Sequence, residues 1–298
     1  MTNTSIPVFI NPAAGRGRAG RTIDALRDLL TRQGIEHSIV TSNAPGDLEK
    51  RIHAAAGGSD RLIVAGGDGS IHEAVNGILR SGKNAALGVI PIGTGNDFAK
   101  ACGIPLHWED AATLLADRIR GNVLPRAIDV GRMNERYFAN GAGVGFDAKV
   151  TRIARANRLP IGDLVYLMAI IHAMWDGVIT PTMTIHFDGQ TRHGPMTLAN
   201  VSNGAWIGGM FRIAPDARND DGVLDLIVAD PVSRMRILGL LPHLMNGTHI
   251  GKTEISHHRI RECVIESGSP VPSHLDGEVQ PLQTRFDVAI LSGELRLL

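Results

Sequence analysis

RLIVAGGDGS, at residues 61–70, joins an apolar run to a glycine-rich turn. Residues 61–65 have the length and composition of a short buried strand, and Gly66-Gly67-Asp68-Gly69-Ser70 follows them directly. A helical pattern then runs from residue 71 to residue 79. The order of strand, glycine loop and helix is typical of a parallel sheet whose strands are joined by helices.

The same order recurs on both sides of this stretch. The pattern predicts further strands at residues 7–10, 36–41 and 86–91, and helices around residues 23–30 and 48–56. Strands that alternate with helices of about ten residues predict a parallel sheet covered by helices on both faces. Ligands of such sheets bind beyond the carboxyl ends of the strands, which is where the glycine loops fall.

From about residue 126 the pattern changes to short β-rich runs separated by turn signals such as Asp188-Gly189 and Ser267-Gly268. This predicts a mostly antiparallel β-sandwich, with helical insertions near residues 147–176 and 231–246. We therefore expect an N-terminal three-layer α/β domain at residues 1–125 and a second, β-sandwich domain at residues 126–284. The segment from about 285 to 298 is able to return to the first domain.

Composition excludes several classes of protein. The 298 residues carry 30 Lys and Arg against 30 Asp and Glu, so no overall field draws the chain to nucleic acid. The longest apolar segment, residues 164–175, is too short to span a membrane, and no secretion signal precedes it. Cys102 and Cys263 match no metal spacing, which predicts a reducing, cytoplasmic location.

Residues 11–20, NPAAGRGRAG, form the first of three glycine loops. Glycines between a strand and a helix let backbone N–H groups converge on an anion, and Arg16, Arg18 and Arg21 add positive charge there. The alternative is an ordinary glycine turn with solvated arginines.

The other two loops carry polar side chains as well. Asp68 either caps a helix or holds a Mg²⁺ ion that bridges phosphates. In the loop at residues 93–97, GTGND, Thr94 offers a hydroxyl to a phosphate, whereas Asn96 and Asp97 organise the turn or cap the next helix.

Two acidic clusters lie nearer the C-terminus. In a strand, Asp276 and Glu278 would share one face, so that one accepts a proton from a substrate hydroxyl while the other orients it or helps to hold a metal. The alternative is an exposed Asp-Gly hairpin turn. Asp216 and the run Asn219-Asp220-Asp221-Gly222 supply oxygen donors for a structural Mg²⁺, or form an acidic turn.

Five motifs, taken in chain order, strongly resemble the diacylglycerol kinase catalytic-domain family, and in particular its bacterial soluble lipid kinases; sphingosine and ceramide kinases are relatives. They are NPAAGRGRAG (11–20), GGDGSIHEAVNGI (66–78), IPIGTGNDFAKACGIP (90–105), APDARNDDGVLDL (214–226) and HLDGE (274–278). The resemblance implies an ATP-binding first domain, a β-sandwich lipid-substrate domain, and transfer of the γ-phosphate to a lipid hydroxyl in a cleft between them. It also implies a role in lipid metabolism.

The resemblance implies site residues by position. Glu278 would be the proton acceptor with Asp276 beside it, and a structural Mg²⁺ would be held by Asp221 with the carbonyls of Arg218 and Val223. Nucleotide contacts are implied for Asn11, Pro12, Ala13, Ala14, Gly15, Thr41, Gly66, Gly67, Asp68, Gly69, Ser70, Ile71, His72 and Thr94. Ala14, Ser70 and His72 depart from the Ser, Thr and Asn that the family usually shows, so the contact of His72 is the least secure.

A lipid substrate is met at a surface. Lys149, Arg152, Arg155 and Arg158 recur every three residues, and a helix would gather them into one basic stripe beside an apolar face. That face is formed by Leu164, Leu167, Met168, Ile171 and Trp175, and a second candidate for acyl-chain contact by Trp206, Ile207, Met210 and Phe211. These patterns favour contact with the inner face of a membrane; the alternative is a solvated face followed by a core helix.

The sequence as a whole predicts an ATP- and Mg²⁺-dependent kinase that phosphorylates a lipid such as diacylglycerol. Two other functions stay open: a soluble-metabolite kinase of the NAD kinase type, and a non-catalytic nucleotide- or lipid-binding module. The edges of the sandwich could also pair across a homodimer.

Overall fold

The computed structural model describes residues 5–156 and 164–298, and the chain divides into two compact units. Unit 1 contains the residues up to Ile128 together with Gly293–Leu298, and unit 2 contains Asp129–Ser292. The sequence placed the corresponding boundaries at residue 125 and at about residue 285.

Unit 1 is a parallel sheet with helices packed against it. Its elements are β1 (Ile6–Ile10), α1 (Ala14–Arg32), β2 (His37–Thr41), α2 (Asp47–Ala55), β3 (Arg61–Gly66), α3 (Asp68–Arg80), β4 (Ala86–Pro91), α4 (Asp97–Ala101) and α5 (Trp108–Arg120). The strands follow the order β2-β1-β3-β4, all parallel. Leu297, the last residue but one, adds a parallel pair with Leu87 of β4.

Local sequence explains these elements. Strands β3 and β4 are buried along almost their whole length, as continuous apolar runs in a parallel sheet should be. Helix α1 buries Ala19, Leu26 and Leu30, which are spaced for one helical face. Helix α5 is an element that the sequence patterns above did not predict, although Leu115 and its alanines pack against the sheet.

The strand order brings two of the glycine loops to one place at the edge of the sheet. From β1 the chain moves to β2 on one side, and then returns to β3 on the other side of β1. The loops that leave β1 and β3 therefore diverge at a topological switch point, where open α/β sheets form a crevice beyond the strand ends. The first two glycine loops are the ones that leave these two strands.

Unit 2 is antiparallel and sandwich-like. Its elements are β5 (Arg126–Met133, which begins in unit 1), β6 (Arg136–Phe138), β7 (Gly141–Gly145), α6 (Phe146–Ala156), α7 (Leu164–Trp175), β8 (Thr182–Phe187), β9 (Gln190–Pro195), β10 (Leu198–Ser202), β11 (Leu224–Ala229), α8 (Arg234–Asn246), β12 (Ile255–Ile260), β13 (Glu262–Leu275) and β14 (Glu278–Leu297, which ends in unit 1). The predicted two-domain fold class, α/β followed by a mostly antiparallel sandwich, is confirmed.

Strand β13 pairs with strands in both layers of unit 2. Residues 263–267 pair with β8, and after a register shift residues 273–275 pair with β7. A core cluster that includes Phe138, Val144, Ile185, Leu226 and Phe286 fills the space between the layers. Among the described strands, β9 and β12 each pair with a single neighbour. The predicted homodimer remains a prediction.

The predicted basic stripe is wrong at its first residue. The side chain of Lys149 is buried; its ammonium group donates to the carbonyl of Gly177 at 2.8 Å and pairs with Asp176 at 2.7 Å. A buried cation needs such partners, so Lys149 braces the end of α7 and does not face solvent. Arg155 is engaged by Glu278, and Arg158 lies outside the described residues.

No helix in the described parts of the chain is long and apolar enough to cross a membrane.

Candidate active site

The second and third glycine loops of unit 1 touch through their backbones. A Cβ atom on Gly67 would lie 2.8 Å from the Cα of Gly93, and one on Gly93 would lie 2.4 Å from the Cα of Gly67. The N–H of Ile92 donates to the carbonyl of Gly66 at 2.8 Å, which joins the two loops. Only glycine fits at this crossing, because any side chain would force the loops apart.

The first loop reaches the same place. Gly15 has a φ of +57°, and a Cβ there would lie 2.2 Å from the carbonyl oxygen of Ile92. The guanidinium of Arg18 donates to the carbonyl of Gly93 at 2.6 Å. The structure thus brings the three predicted loops together, and Arg18 ties the first to the third.

Asp68 has a structural contact that crosses between loops. Its Oδ1 accepts a hydrogen bond of 3.1 Å from the N–H of Phe98, in the first turn of α4. Of the two roles left open for Asp68, the capping role is therefore present on α4, although Asp68 itself is the first residue of α3. A carboxylate has further lone pairs, so this bond leaves the predicted metal role untested.

The turn of the third loop is organised by Asn96. Its Oδ1 accepts from the N–H of Gly93 at 2.9 Å, and its Nδ2 donates to the carbonyl of Gly93 at 3.2 Å. Asn96 has a φ of +52°, a conformation that asparagine tolerates better than most residues. Thr94 is exposed, with its side chain directed away from the core.

The remaining predicted nucleotide residues divide by burial. Ser70, Ile71 and His72 are buried in the first turns of α3, and the N–H groups of Ser70 and Ile71 donate to the carbonyl of Gly67 at 2.9 and 3.1 Å. Asn11 accepts a bond of 3.0 Å from the N–H of Ala13 and shapes the first loop, while Thr41 ends strand β2. Their nucleotide contacts remain predictions.

In unit 2, the HLDGE motif is the tip of a β-hairpin. Asp276 and Gly277 form the two-residue turn between β13 and β14, with φ values of +51° and +81°. This is the primed turn that Asp-Gly favours, so the turn interpretation is right and the strand interpretation is wrong for Asp276. The turn is half-buried, unlike the exposed turn expected.

Asp276 clamps a second segment onto this hairpin. Its carboxylate accepts hydrogen bonds from the backbone N–H groups of Ala139, Asn140 and Gly141 at 3.0, 2.8 and 3.0 Å. These groups connect β6 to β7, so Asp276 fixes that connection against the hairpin. The sequence could not show this contact, because its partners lie about 135 residues earlier.

Glu278 is the first residue of β14, and its side chain is partly exposed. Its carboxylate pairs with the guanidinium of Arg155 on α6. A carboxylate at the tip of a clamped hairpin has a fixed position and access to solvent, which a general base requires.

The loop predicted to hold a structural metal is engaged by an arginine. One oxygen of Asp221 pairs with Arg259 on β12, and the other accepts a weak 3.4 Å bond from the N–H of Val223. In the described ranges, no three His, Cys, Asp or Glu side chains are grouped to hold a metal ion. The carboxylate keeps further lone pairs beside Arg259, and the other two predicted ligands are backbone carbonyls, so the metal role of Arg218, Asp221 and Val223 stays a prediction.

An apolar cavity opens inside unit 2, bounded by α6, α7, α8 and the strands β10, β11 and β12. The cavity volume is about 100 Å³, and the wider space between the atoms that line it, part of which is open solvent, is about 810 Å³. Its lining includes Val150, Ile170, Ile207, Phe211, Leu240 and Leu241. Ile207 and Phe211 are two of the residues predicted to contact an acyl chain.

One titratable group on the cavity wall is kept neutral by its surroundings. Burial lowers the pKa of His249, and its Nε2 donates to the carbonyl of Ile213 at 2.9 Å. An uncharged imidazole keeps the cavity apolar. The sequence did not predict the cavity, because its walls come from segments more than 100 residues apart.

Helix α7 leaves an apolar face in solvent. Leu164, Met168, Ile171 and Trp175 follow the helical period of three and four residues, and all four are exposed, Trp175 to 77%. The opposite face, which includes Val165 and Ala169, is buried. Of the apolar face predicted from the sequence, Leu167 is half-buried and the other four residues are confirmed as exposed.

Comparisons with known proteins place this chain in a family. Residues 5–133 match the diacylglycerol kinase catalytic domain, and residues 141–298, more than half of the chain, match the YegS C-terminal NAD kinase beta sandwich-like domain. A diacylglycerol kinase from Bacillus subtilis is 30% identical over 274 residues, which cover 91% of this chain and 88% of that protein.

A protein from Chromohalobacter salexigens named "Probable lipid kinase YegS-like" is 32% identical over 250 residues, covering 82% of this chain and 77% of that one. A crystal structure of a diacylglycerol kinase from Bacillus anthracis has the same fold, with a TM-score of 0.72 at 23% identity; it covers 98% of this chain and 96% of that one. With the glycine loops and the clamped hairpin, these matches show that the chain belongs to the diacylglycerol kinase family and is a lipid kinase.

Proposed function

We propose that the chain transfers the γ-phosphate of ATP to the hydroxyl group of a diacylglycerol-like lipid. The observation that carries the proposal is the apolar cavity of unit 2, whose lining is almost entirely hydrocarbon. A kinase for a polar metabolite such as NAD would need polar groups in its acceptor pocket. An acyl chain needs none.

The loops of unit 1 support the choice of a nucleoside triphosphate as donor. They are rich in glycine, lie at the switch point of a parallel sheet, and lead into helices whose N-termini favour anions. Arg16 and Arg21 are exposed on or beside the first loop and add positive charge. The backbone N–H groups of these loops would hold the phosphates.

Glu278 supplies the base in this proposal. Its carboxylate takes the proton of the lipid hydroxyl as that oxygen forms a bond to the γ-phosphorus. The bond from the γ-phosphorus to the β,γ-bridging oxygen breaks, and ADP leaves. Asp276 has no proton to move in this scheme, because its oxygens hold the N–H groups of residues 139–141; it keeps Glu278 in place.

A divalent cation fits beside Asp68. Mg²⁺ is usually bound through one or two carboxylates together with substrate phosphates, and Asp68 offers a carboxylate at the meeting point of the loops. The cation would neutralise phosphate charge during transfer.

The substrate also calls for contact with a membrane surface. We propose that α7 rests on the bilayer through Leu164, Met168, Ile171 and Trp175. This helix also lines the cavity through Tyr166 and Ile170. One helix would thus touch the lipid surface on one side and the substrate cavity on the other.

A parallel assay with ATP tests the proposal. Diacylglycerol, sphingosine, phosphatidylglycerol, glycerol and NAD are offered as acceptors, and we expect phosphate transfer to diacylglycerol alone or far above the others. We expect Glu278→Gln to lose about 10²- to 10⁴-fold in kcat, while ATP binding is retained, because general-base assistance is of that size. Glu266→Gln, a half-exposed carboxylate at the other end of β13, is the matched control.

Three results would contradict the proposal. Transfer to NAD in preference to lipid would make the chain a metabolite kinase. ATP binding without turnover on any acceptor would make it a binding module. Full activity of Glu278→Gln would remove Glu278 as the base.

A further inference from the structure

One face of α6 holds the hairpin that carries Glu278. Asp147, Thr151 and Arg155 are four residues apart and therefore share a face of the helix. Asp147 Oδ2 lies 3.5 Å from Nε2 of His274 at the end of β13. Arg155, two turns later, pairs with Glu278 and donates to the carbonyl of Gly277 at 3.1 Å. The helix thus grips the hairpin on both sides of its turn.

The grip at Asp147 is built into the core. A Cβ on Gly143 would lie 2.0 Å from Oδ2 of Asp147 and 2.4 Å from Nε2 of His274, so glycine makes the room for this pair. Asn200 donates to the same Oδ2 at 3.3 Å. Asp147 and His274 are both buried, which fixes the start of α6 against β13.

His274 connects Asp147 to the turn of the hairpin. Its Nδ1 accepts a long hydrogen bond of 3.4 Å from the N–H of Gly277, while its Nε2 faces Asp147 on the other side of the ring. Both backbone polar groups of Gly277 are therefore hydrogen-bonded: its N–H donates to His274, and its carbonyl accepts from Arg155. Glu278 follows directly.

Helix α6 also lines the apolar cavity, through Phe146, Asp147 and Val150. The helix that touches the acyl-chain cavity is therefore also the helix that holds the proposed base. Arg155 therefore contacts the hairpin that carries the proposed base, although its side chain is half exposed.

We propose that Arg155 is a positioning residue for Glu278: its guanidinium holds the carboxylate and the Gly277 carbonyl together, and so sets the direction from which the carboxylate meets the lipid hydroxyl. This inference rests on the proposed function, because it assigns Arg155 a task only if Glu278 is the base. An exposed ion pair contributes little to folding, so its effect should appear in turnover and not in stability.

The test compares three variants in detergent mixed micelles, which present the same interface and the same lipid concentration to each variant. For Arg155→Ala we expect kcat to fall about 10- to 100-fold, because misplacing a reacting group by about 1 Å has that effect. The KM values for ATP and diacylglycerol should change less than about twofold. Arg155→Lys, which keeps a cation but not the two-pronged donor, should recover part of kcat. Arg285→Ala, a half-exposed arginine that pairs with Glu266 and Asp287, is the matched control and should keep full activity.

Chemical rescue separates positioning from a general structural role. Millimolar guanidinium ion should raise kcat of Arg155→Ala and leave Arg285→Ala unchanged, because it can replace the missing group at Glu278. If kcat of Arg155→Ala stays within about twofold of the unchanged chain while Glu278→Gln is inactive, the inference is wrong and the proposed function stands. A fall in kcat that neither Lys nor guanidinium repairs also overturns the inference. Full activity of Glu278→Gln would instead remove the proposed function.

Discussion

Gly67 and Gly93 form the contact between the second and third glycine loops, since each occupies the space that a Cβ on the other would need. Neither residue has a φ in the left-handed region. Their requirement for glycine is therefore one of space alone. A motif read from sequence shows that glycines are present at a strand end, but it cannot show that two loops cross there.

We expect Gly93→Ala to weaken ATP binding about tenfold or more, since the added methyl group would meet the Cα of Gly67 and Oδ1 of Asn96, at 2.4 and 2.6 Å. Overpacking of this kind costs about 1 to 3 kcal/mol of stability. Titration calorimetry with ATP and chemical denaturation measure the two effects. Gly58→Ala, where the nearest atom would be 3.9 Å away, is the control. Unchanged ATP affinity in Gly93→Ala would show that the loops do not bind the nucleotide as proposed.

Two aspartates show how far single residues could be predicted. The sequence placed Asp68 after a glycine pair and left open whether Asp276 lies in a strand or in a turn; Asp68 begins α3 and Asp276 lies in a turn, while their metal and catalytic roles stay predictions. Which groups they contact depends on chain segments far away: Phe98 for Asp68, and residues 139–141 for Asp276. Such partners are set by packing of the whole unit, and a local pattern carries no signal for them.

Helix α7 is the element whose surface most needs an explanation. Four large apolar side chains lie on one exposed face, and leaving such a stripe in water is unfavourable unless something covers it. The sequence predicted this face from its spacing but placed a basic stripe beside it. The predicted stripe is wrong at Lys149, because residue spacing indicates neither the burial of this side chain nor its contacts with the Gly177 carbonyl and the Asp176 carboxylate.

We expect Ile171→Glu to reduce binding to vesicles of phosphatidylglycerol and phosphatidylcholine by about tenfold or more. Removing one buried aliphatic side chain from an apolar contact costs about 1.5 to 3 kcal/mol, and a carboxylate at the interface adds repulsion from anionic lipid. Sedimentation with vesicles measures the effect. Leu114→Glu, on the equally exposed surface of α5, is the matched control. Equal sedimentation of both variants and the unchanged chain would exclude α7 as the membrane contact.

On the scale of the whole molecule, the sequence predicted two domains because the two halves have different periodicities. Parallel α/β units repeat locally, so each strand and loop of unit 1 could be located from a few residues. The apolar cavity of unit 2 could not, because its walls join α6 and α7 to α8 and β12. The local pattern of either segment does not indicate a contact with a segment so distant in sequence.

The last six residues belong to unit 1, although they follow unit 2 in the sequence. Leu295, Leu297 and Leu298 are buried in unit 1, and the N–H of Leu298 donates to the carbonyl of Leu87 at 2.9 Å. Unit 1 is therefore built from two segments that unit 2 separates in the sequence, and its fold needs both of them. The return of this segment was open in the sequence, where an apolar strand gives no indication of its partner.

We expect Leu297→Ala to lower the free energy of unfolding of unit 1 by about 2 to 5 kcal/mol, the usual cost of emptying a buried leucine site. Leu282→Ala lies on the same strand, β14, where Leu282 is 58% exposed, and should change stability by less than about 0.5 kcal/mol. Denaturation followed with and without ATP measures both. Because the loops proposed to bind ATP belong to unit 1, we expect ATP to protect Leu297→Ala against unfolding as well, but from a lower midpoint. Equal stability of the two variants would mean that the C-terminal strand is not part of the folded core of unit 1.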